Sequence, residues 1–232
     1  MNNKKFYFLG ILGVVVAGVV IFGLWYQGIF GQSKHGLMAA VKDRPDLVAI
    51  TDQIKKDEQV IKEDPEKVSA YLALGLNWKS LGELAPRRQR DFYEQSLKIY
   101  NEGIERFGSK NILFYLNHGK VAEIVEDYAR AEQDYRQVIA ISPGDESGYI
   151  SLATLYDYKM HKSKEEILAV FKQGIEKLFN PIALVAARGS YLRRVGDNRA
   201  ALKDYEVLVE NLPSNGYQKI VEELKEKIAA ES

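Results

Sequence analysis

The sequence predicts an all-α chain: an N-terminal transmembrane helix followed by an α-solenoid of about four helix-turn-helix repeats, with a capping helix at each end. Two observations predict it, and the composition excludes several classes of function. From Phe6 to Ser33 there is no charged residue, and Phe6 to Tyr26 reads FYFLGILGVVVAGVVIFGLWY. Beyond that stretch, the helical spacing i, i+4, i+7 around an aromatic residue recurs with starts at 96, 131, 167 and 201, that is every 34 to 36 residues. Cysteine is absent from all 232 residues, which removes disulfide frameworks, thiolate metal sites, cysteine nucleophiles and lipid-modified cysteine. The 32 basic and 32 acidic residues cancel, which argues against a nucleic-acid binder that works by neutralising phosphates.

Taken in order, residues 1–5 form a short head carrying Lys4 and Lys5. Residues 6–26 follow as the membrane segment. At about 1.5 Å per residue they make roughly 31 Å of helix, the thickness of a hydrocarbon core, and Trp25 and Tyr26 close the run as interfacial aromatics do. The competing reading is a cleaved signal peptide, but the apolar run is longer than an h-region and ends in Leu24-Trp25-Tyr26-Gln27 rather than a small-x-small site. An uncleaved signal anchor is expected. The two lysines of the head favour a cytoplasmic N-terminus, with the rest of the chain outside the cytoplasm. Lys34, Lys42 and Arg44 lie within reach on the other side and keep the opposite orientation open. Gly13 and Ala17 form a small-xxx-small pair, which reads as ordinary membrane-helix composition.

Residues 27–46 read as a juxtamembrane linker, residues 47–63 as an N-terminal capping helix, residues 64–215 as the repeats, and residues 216–232 as a C-terminal capping helix. In the repeats the second helices carry Ser96-Tyr100-Gly103, Ala131-Tyr135-Val138, Ile167-Phe171-Gly174 and Ala201-Tyr205-Leu208. The first helices carry Tyr71-Leu74-Gly75-Trp78, Tyr115-His118-Gly119-Ala122, Tyr149-Leu152-Ala153-Tyr156 and Val185-Arg188-Gly189-Leu192. Pro143 and Pro213 end the second helices of repeats two and four. The small residues at 75, 119, 153 and 189 let the two helices of a unit approach closely, and the aromatics of the second helices fill the space between adjacent units. In the C-terminal cap, Ile220, Val221, Leu224 and Ile228 share one face, leaving a polar back.

This pattern resembles the tetratricopeptide repeat, a unit of about 34 residues with an aromatic, Leu-Gly and an aromatic on its first helix, then Ala, an aromatic and Ala on its second, then Pro. The fit is best over Tyr115 to Pro143 and Val185 to Pro213. Two departures stand out. Repeat one has nine extra residues after Gly82, largely Ala85-Pro86-Arg87-Arg88-Gln89-Arg90-Asp91, which read as a lengthened second helix with a solvated basic start. Arg188 replaces the usual Leu of the first helix in repeat four, and nothing in the sequence explains it.

No catalytic constellation is found. His35, His118 and His161 are widely spaced and form no metal-ligand motif, and GxGxxG, P-loop and GxSxG patterns are absent. No enzymatic activity, cofactor or metal is expected. What the resemblance implies is a concave groove that binds an extended peptide or a helix. Its groove-facing positions fall on Leu72, Ala73, Leu76, Lys79 and Ser80; on Leu116, Asn117, Lys120, Glu123 and Ile124; on Ile150, Ser151, Thr154, Asp157 and Tyr158; and on Ala186, Ala187, Ser190, Arg193 and Arg194. The expected protein-binding residues are Lys79, Asn117, Lys120, Glu123, Ser151, Thr154, Asp157, Tyr158, Ser190, Arg193 and Arg194, in a groove running from apolar to polar to basic. Asn117 and Lys120 alone match the carboxylate clamp of chaperone-tail receptors, so that role is disfavoured. The expected function is a membrane-anchored scaffold or adaptor with a protein or peptide partner, like the anchored repeat proteins of bacterial envelope assembly, secretion or periplasmic chaperoning. Two alternatives stand beside it: a cytosol-facing receptor, and an oligomerisation module that self-associates through its caps or its anchor.

Overall fold

The structure is a computed structural model that describes residues 36, 38, 39, 41–213 and 216–231. The apolar run at 6–26 lies outside them. Among the described residues no helix is long and apolar enough to cross a membrane. Ten α-helices run from Pro45 to Ala230: α1 (Pro45–Glu63), α2 (Val68–Leu84), α3 (Gln89–Phe107), α4 (Ile112–Ile124), α5 (Tyr128–Ile141), α6 (Glu146–Tyr158), α7 (Lys164–Lys177), α8 (Ile182–Arg194), α9 (Asn198–Asn211) and α10 (Tyr217–Ala230). The pairs α2/α3, α4/α5, α6/α7 and α8/α9 are the four repeats, with α1 and α10 as end helices.

Local chemistry sets the helix starts. Asn111, Asp127, Asp145 and Asp197 each accept a backbone N–H with their side chains at the starts of α4, α5, α6 and α9. Ser163 and Glu166 close a full capping box on α7. Repeat one differs as its composition predicts: Pro86–Arg88 make a 3-10 turn, and α3 has 19 residues against 14 in the other second helices. The core also reaches back past Leu47. Val41 is 2% exposed and joins Leu47, Ile54, Trp78, Leu81 and Phe92 in one cluster, in which Trp78 stacks on Phe92 at 6.1 Å.

The second-helix aromatics work chiefly inside their own units, which corrects the expectation that they fill the space between units. A Cβ added at Gly75 would lie 2.4 Å from the Tyr100 ring, and one at Gly119 would lie 2.7 Å from the Tyr135 ring. They reach the next unit secondarily, as with Phe171 and Tyr191 at 6.3 Å. Between units the fit is of a large residue into a glycine. Phe114 fills the space at Gly103, Leu184 fills that at Gly174, and Val138 with Ile139 fills that at Gly148. The buried aromatic of α4 is therefore Phe114, and Tyr115 is half-buried.

The first helices of successive repeats also touch: α2 with α4, α4 with α6, and α6 with α8. The second helices do not pack on one another comparably. The stack therefore closes toward the first helices, and that side is concave. At the ends, α1 and α10 turn polar faces outward, with Gln218, Lys219, Glu222, Lys225 and Glu226 exposed on α10, as a capped solenoid requires.

Candidate protein-binding groove

Each first helix buries two sides, one against its own second helix and one against neighbouring first helices, and leaves a single stripe in solvent. On α4 the stripe runs Leu113, Asn117, Lys120 and Ile124, a spacing of four, three and four that keeps one helix face. The matching stripes carry Leu72, Leu76 and Lys79 on α2; Ile150, Ser151, Thr154, Asp157 and Tyr158 on α6; and Ala186, Ala187, Ser190, Arg193 and Arg194 on α8. Because the first helices lie side by side, the stripes form one surface. Every expected binding residue except Glu123, whose carboxylate turns to Tyr135 of α5, falls on it, and none is fully buried.

The charges on this surface are mostly neutralised by neighbours, so the expected gradient toward a basic end is corrected. Arg194 donates to Asp157 across α8 and α6, and its guanidinium lies 4.9 Å from the Tyr158 ring centroid and 5.5 Å from that of Tyr191. The bond to Asp157 raises the Arg194 pKa further. Arg193 turns away to Glu223 of α10 at 3.8 Å. Lys79 pairs with Glu83 one turn on. Glu123 accepts a hydrogen bond from the buried Tyr135 hydroxyl. Burial, with Glu123 beside it, pushes the Tyr135 pKa far up, so it remains a neutral donor. Lys120 has no ion-pair partner among the described residues.

What remains open to a partner is largely apolar. Leu76 is 51% exposed, Ile124 40% and Tyr158 58%, all on the concave stripe. Tyr191 is not open to a partner, being 7% exposed, but its ring backs the Arg194 guanidinium at 5.5 Å. Sequence reasoning missed it, although its place three residues before Arg194 puts the two on one helix face.

Beneath the groove, two polar pairs replace the apolar contact that joins first and second helix in the other repeats. Arg188 makes a two-pronged bond to Asp204, with Nε and Nη2 at 2.9 and 2.6 Å from the carboxylate oxygens. At the equivalent position of repeat two, His118 is 1% exposed and its Nδ1 lies 2.5 Å from Asp134 Oδ2. Its Nε2 has no partner among the described residues. Repeats one and three carry Leu74 with Ile99 and Leu152 with Val170 at these places. Arg188 is thereby explained, and a comparison of the four copies at both positions together was the signal that could have found the pair. Among the described residues no group of three or more His, Asp or Glu is placed to hold a metal ion.

No family model and no curated protein matches the chain. Solved structures do. The crystal structure of MamA aligns with a TM-score of 0.50 at 18% identity, over 76% of this chain and 89% of that one. A second crystal structure, of MamA protein, gives 0.51 at 16%, over 78% and 92%. TTC0263, a thermophilic TPR protein in Thermus thermophilus, gives 0.51 at 14%, over 76% and 87%. At such identities the likeness is one of fold, and it agrees with the residue pattern: the described chain is a tetratricopeptide-type helical solenoid.

Proposed function

We propose that this protein is a membrane-anchored scaffold that holds a segment of a protein partner in the concave groove of its repeat domain. The observation that carries the proposal is the row of exposed apolar side chains, Leu76, Ile124 and Tyr158, on a concave surface whose charges are mostly paired. Large exposed apolar side chains gathered on one concave face mark an interaction surface rather than ordinary solvent contact. The partner is thus held by apolar and aromatic contact, with Lys120, which has no ion-pair partner among the described residues, setting register.

The uncharged run at 6–26 supports the anchor, and Lys4 and Lys5 support a repeat domain outside the cytoplasm. Tethering restricts the domain to the membrane plane and raises its effective concentration there, so weak groove contacts suffice. Lys34, Lys42 and Arg44 favour the opposite, cytosol-facing orientation. Protease protection of the repeat domain in sealed membranes separates the two.

The groove itself is tested by photocrosslinking in cells with the full chain. A crosslinker at Thr154, exposed on the concave stripe, is expected to capture a discrete partner, and one at Val207 on α9 is not. Leu76→Ala with Tyr158→Ala should reduce the Thr154 adduct at least tenfold. The same adduct from Thr154 and Val207, or no loss in the double variant, would refute the groove.

A further inference from the structure

The arginines after Gly82 find no place in the groove. They lie at the other side of repeat one, where Val41, Arg44, Ala85, Pro86, Arg87, Arg88 and Phe92 enclose a pocket of about 660 Å³. That is within the range of small-ligand sites. Its chemistry is divided: Val41, Ala85, Pro86 and Phe92 make an apolar floor, three arginines make the rim, and none of the seven lining residues is acidic. Arg44 is held by Asp46 at 2.5 Å and Arg88 by Asp91 at 2.8 Å, both at exposed pairs. Such pairs are weak enough for an arriving anion to share. Arg87 is exposed and has no ion-pair partner among the described residues.

The pocket also sits where the chain arrives from its apolar N-terminal run. A Cβ at Gly36 would lie 4.0 Å from an Arg88 Nη, so Gly36 abuts the rim. Gly36 lies ten residues after Tyr26, the end of the apolar run at 6–26, a leash of at most about 36 Å when fully extended. An anion with an apolar body, close to a membrane surface, has the matching chemistry.

We propose that this pocket takes the phosphate headgroup of an anionic membrane lipid, with the glycerol and upper acyl carbons on the Val41, Ala85, Pro86 and Phe92 floor. The source of that ligand rests on the reading of residues 6–26 as a membrane helix. The apolar floor distinguishes a lipid from free phosphate, and the arginine rim distinguishes an anionic lipid from a zwitterionic one. Bound in this way, the lipid fixes repeat one against the bilayer and so sets how the groove is presented.

The test uses the full chain with Trp25→Phe, which leaves Trp78 as its single tryptophan, 6.1 Å from the Phe92 ring of the pocket floor. The protein is mixed with phosphatidylcholine nanodiscs containing phosphatidic acid brominated near the top of its acyl chains, and bromine quenching of Trp78 is followed against lipid fraction. Saturable quenching is expected, with little from brominated phosphatidylcholine. Arg87→Gln should raise the half-quenching fraction about fivefold, and Arg44→Gln with Arg87→Gln about 25-fold. These are the fold-changes that about 1 kcal/mol per basic residue at a membrane surface corresponds to. Arg87→Lys should restore most of the loss. Equal quenching by both lipids, an unchanged double variant with an unchanged melt, or displacement of the lipid by inorganic phosphate at like concentration overturns the proposal. Co-elution of the chain with the discs reports on the anchor separately, because a chain that fails to insert still meets the same lipids from solution.

Discussion

Replacing the His118–Asp134 pair with the Leu and Ile that repeat one carries at the same places tests the account of the repeat interior. His118→Leu leaves the Asp134 carboxylate, only 6% exposed, without the Nδ1 partner at 2.5 Å. Stranding a buried charge in this way costs about 3–5 kcal/mol. Asp134→Ile leaves the imidazole with neither nitrogen bonded, because Nε2 already lacks a partner. That costs about 1–3 kcal/mol. Added together, the two single losses predict roughly 4–8 kcal/mol. The double variant removes both polar groups and restores the apolar contact of repeats one and three. It should be within about 1 kcal/mol of the parent, or more stable. Urea unfolding of residues 34–232, followed by circular dichroism, reads all four corners of the cycle. A double variant as unstable as the sum of its singles would show that the two side chains are not a unit, and the reasoning would fall.

Tyr135→Ala should cost about 3 kcal/mol or more in the same melt, because it opens a cavity over Gly119 and removes the donor to Glu123. A loss well below 1 kcal/mol contradicts the placement of that ring in the core. Glu126→Gly should stabilise the chain by about 0.5 kcal/mol: Glu126 has φ +66°, in the left-handed region, where its counterpart in repeat four is Gly196 at φ +81°. A drop in stability refutes the strain. Asp197→Ala should cost about 1–2 kcal/mol at neutral pH, because Asp197 caps α9 and binds Lys164 at 2.6 Å in a part-exposed pair. The Lys164 ammonium and the Ala200 N–H hold the Asp197 pKa below its ordinary 3.8, so the unfolded chain takes up the proton first. The contribution is therefore complete above about pH 4 and is lost as pH falls through the depressed value. A gap between variant and parent that stays constant into that range contradicts the assignment.

The solenoid was legible because its determinants are local and repeated: small residues, aromatics and turn-formers at fixed offsets are visible four times. Less legible was whatever depends on a pair. Arg188 looked anomalous alone, and becomes ordinary once Asp204 is seen 16 residues away facing it. The groove residues were found by position, but their charge state was not, since Arg194 reaches Asp157 across 37 residues and Arg193 reaches Glu223 across 30. Linear sequence reports which charges are present and is silent on which are already paired. For this reason a groove that reads as basic at one end folds into one whose charges are mostly paired and whose open side chains are largely apolar. Phe114 was passed over for Tyr115 on the same grounds: the hole it fills, at Gly103, belongs to the preceding repeat.

The pairings also alter what the unit of this solenoid is. Repeats two and four share a polar pair inside, at His118–Asp134 and Arg188–Asp204, and a three-residue turn that ends in a capping aspartate, Asp127 or Asp197. Repeats one and three share an apolar pair, and end in the glycines, 103 and 174, that receive Phe114 and Leu184. Repeat two ends instead in Val138, and repeat three opens with Gly148 to receive it. The large and small partners thus exchange sides at each successive junction. Were the stack to slip by one repeat, Val138 would meet Leu184 or Gly103 would meet Gly148, giving overpacking at one junction and a void at another. Each error costs on the order of 1–3 kcal/mol or more. Since each repeat of a solenoid coheres only with its neighbours, such penalties fix the order of stacking within a chain and oppose exchange of repeats between chains. The concave surface then has one register, and Leu76, Ile124 and Tyr158 keep fixed places on it for a partner to meet.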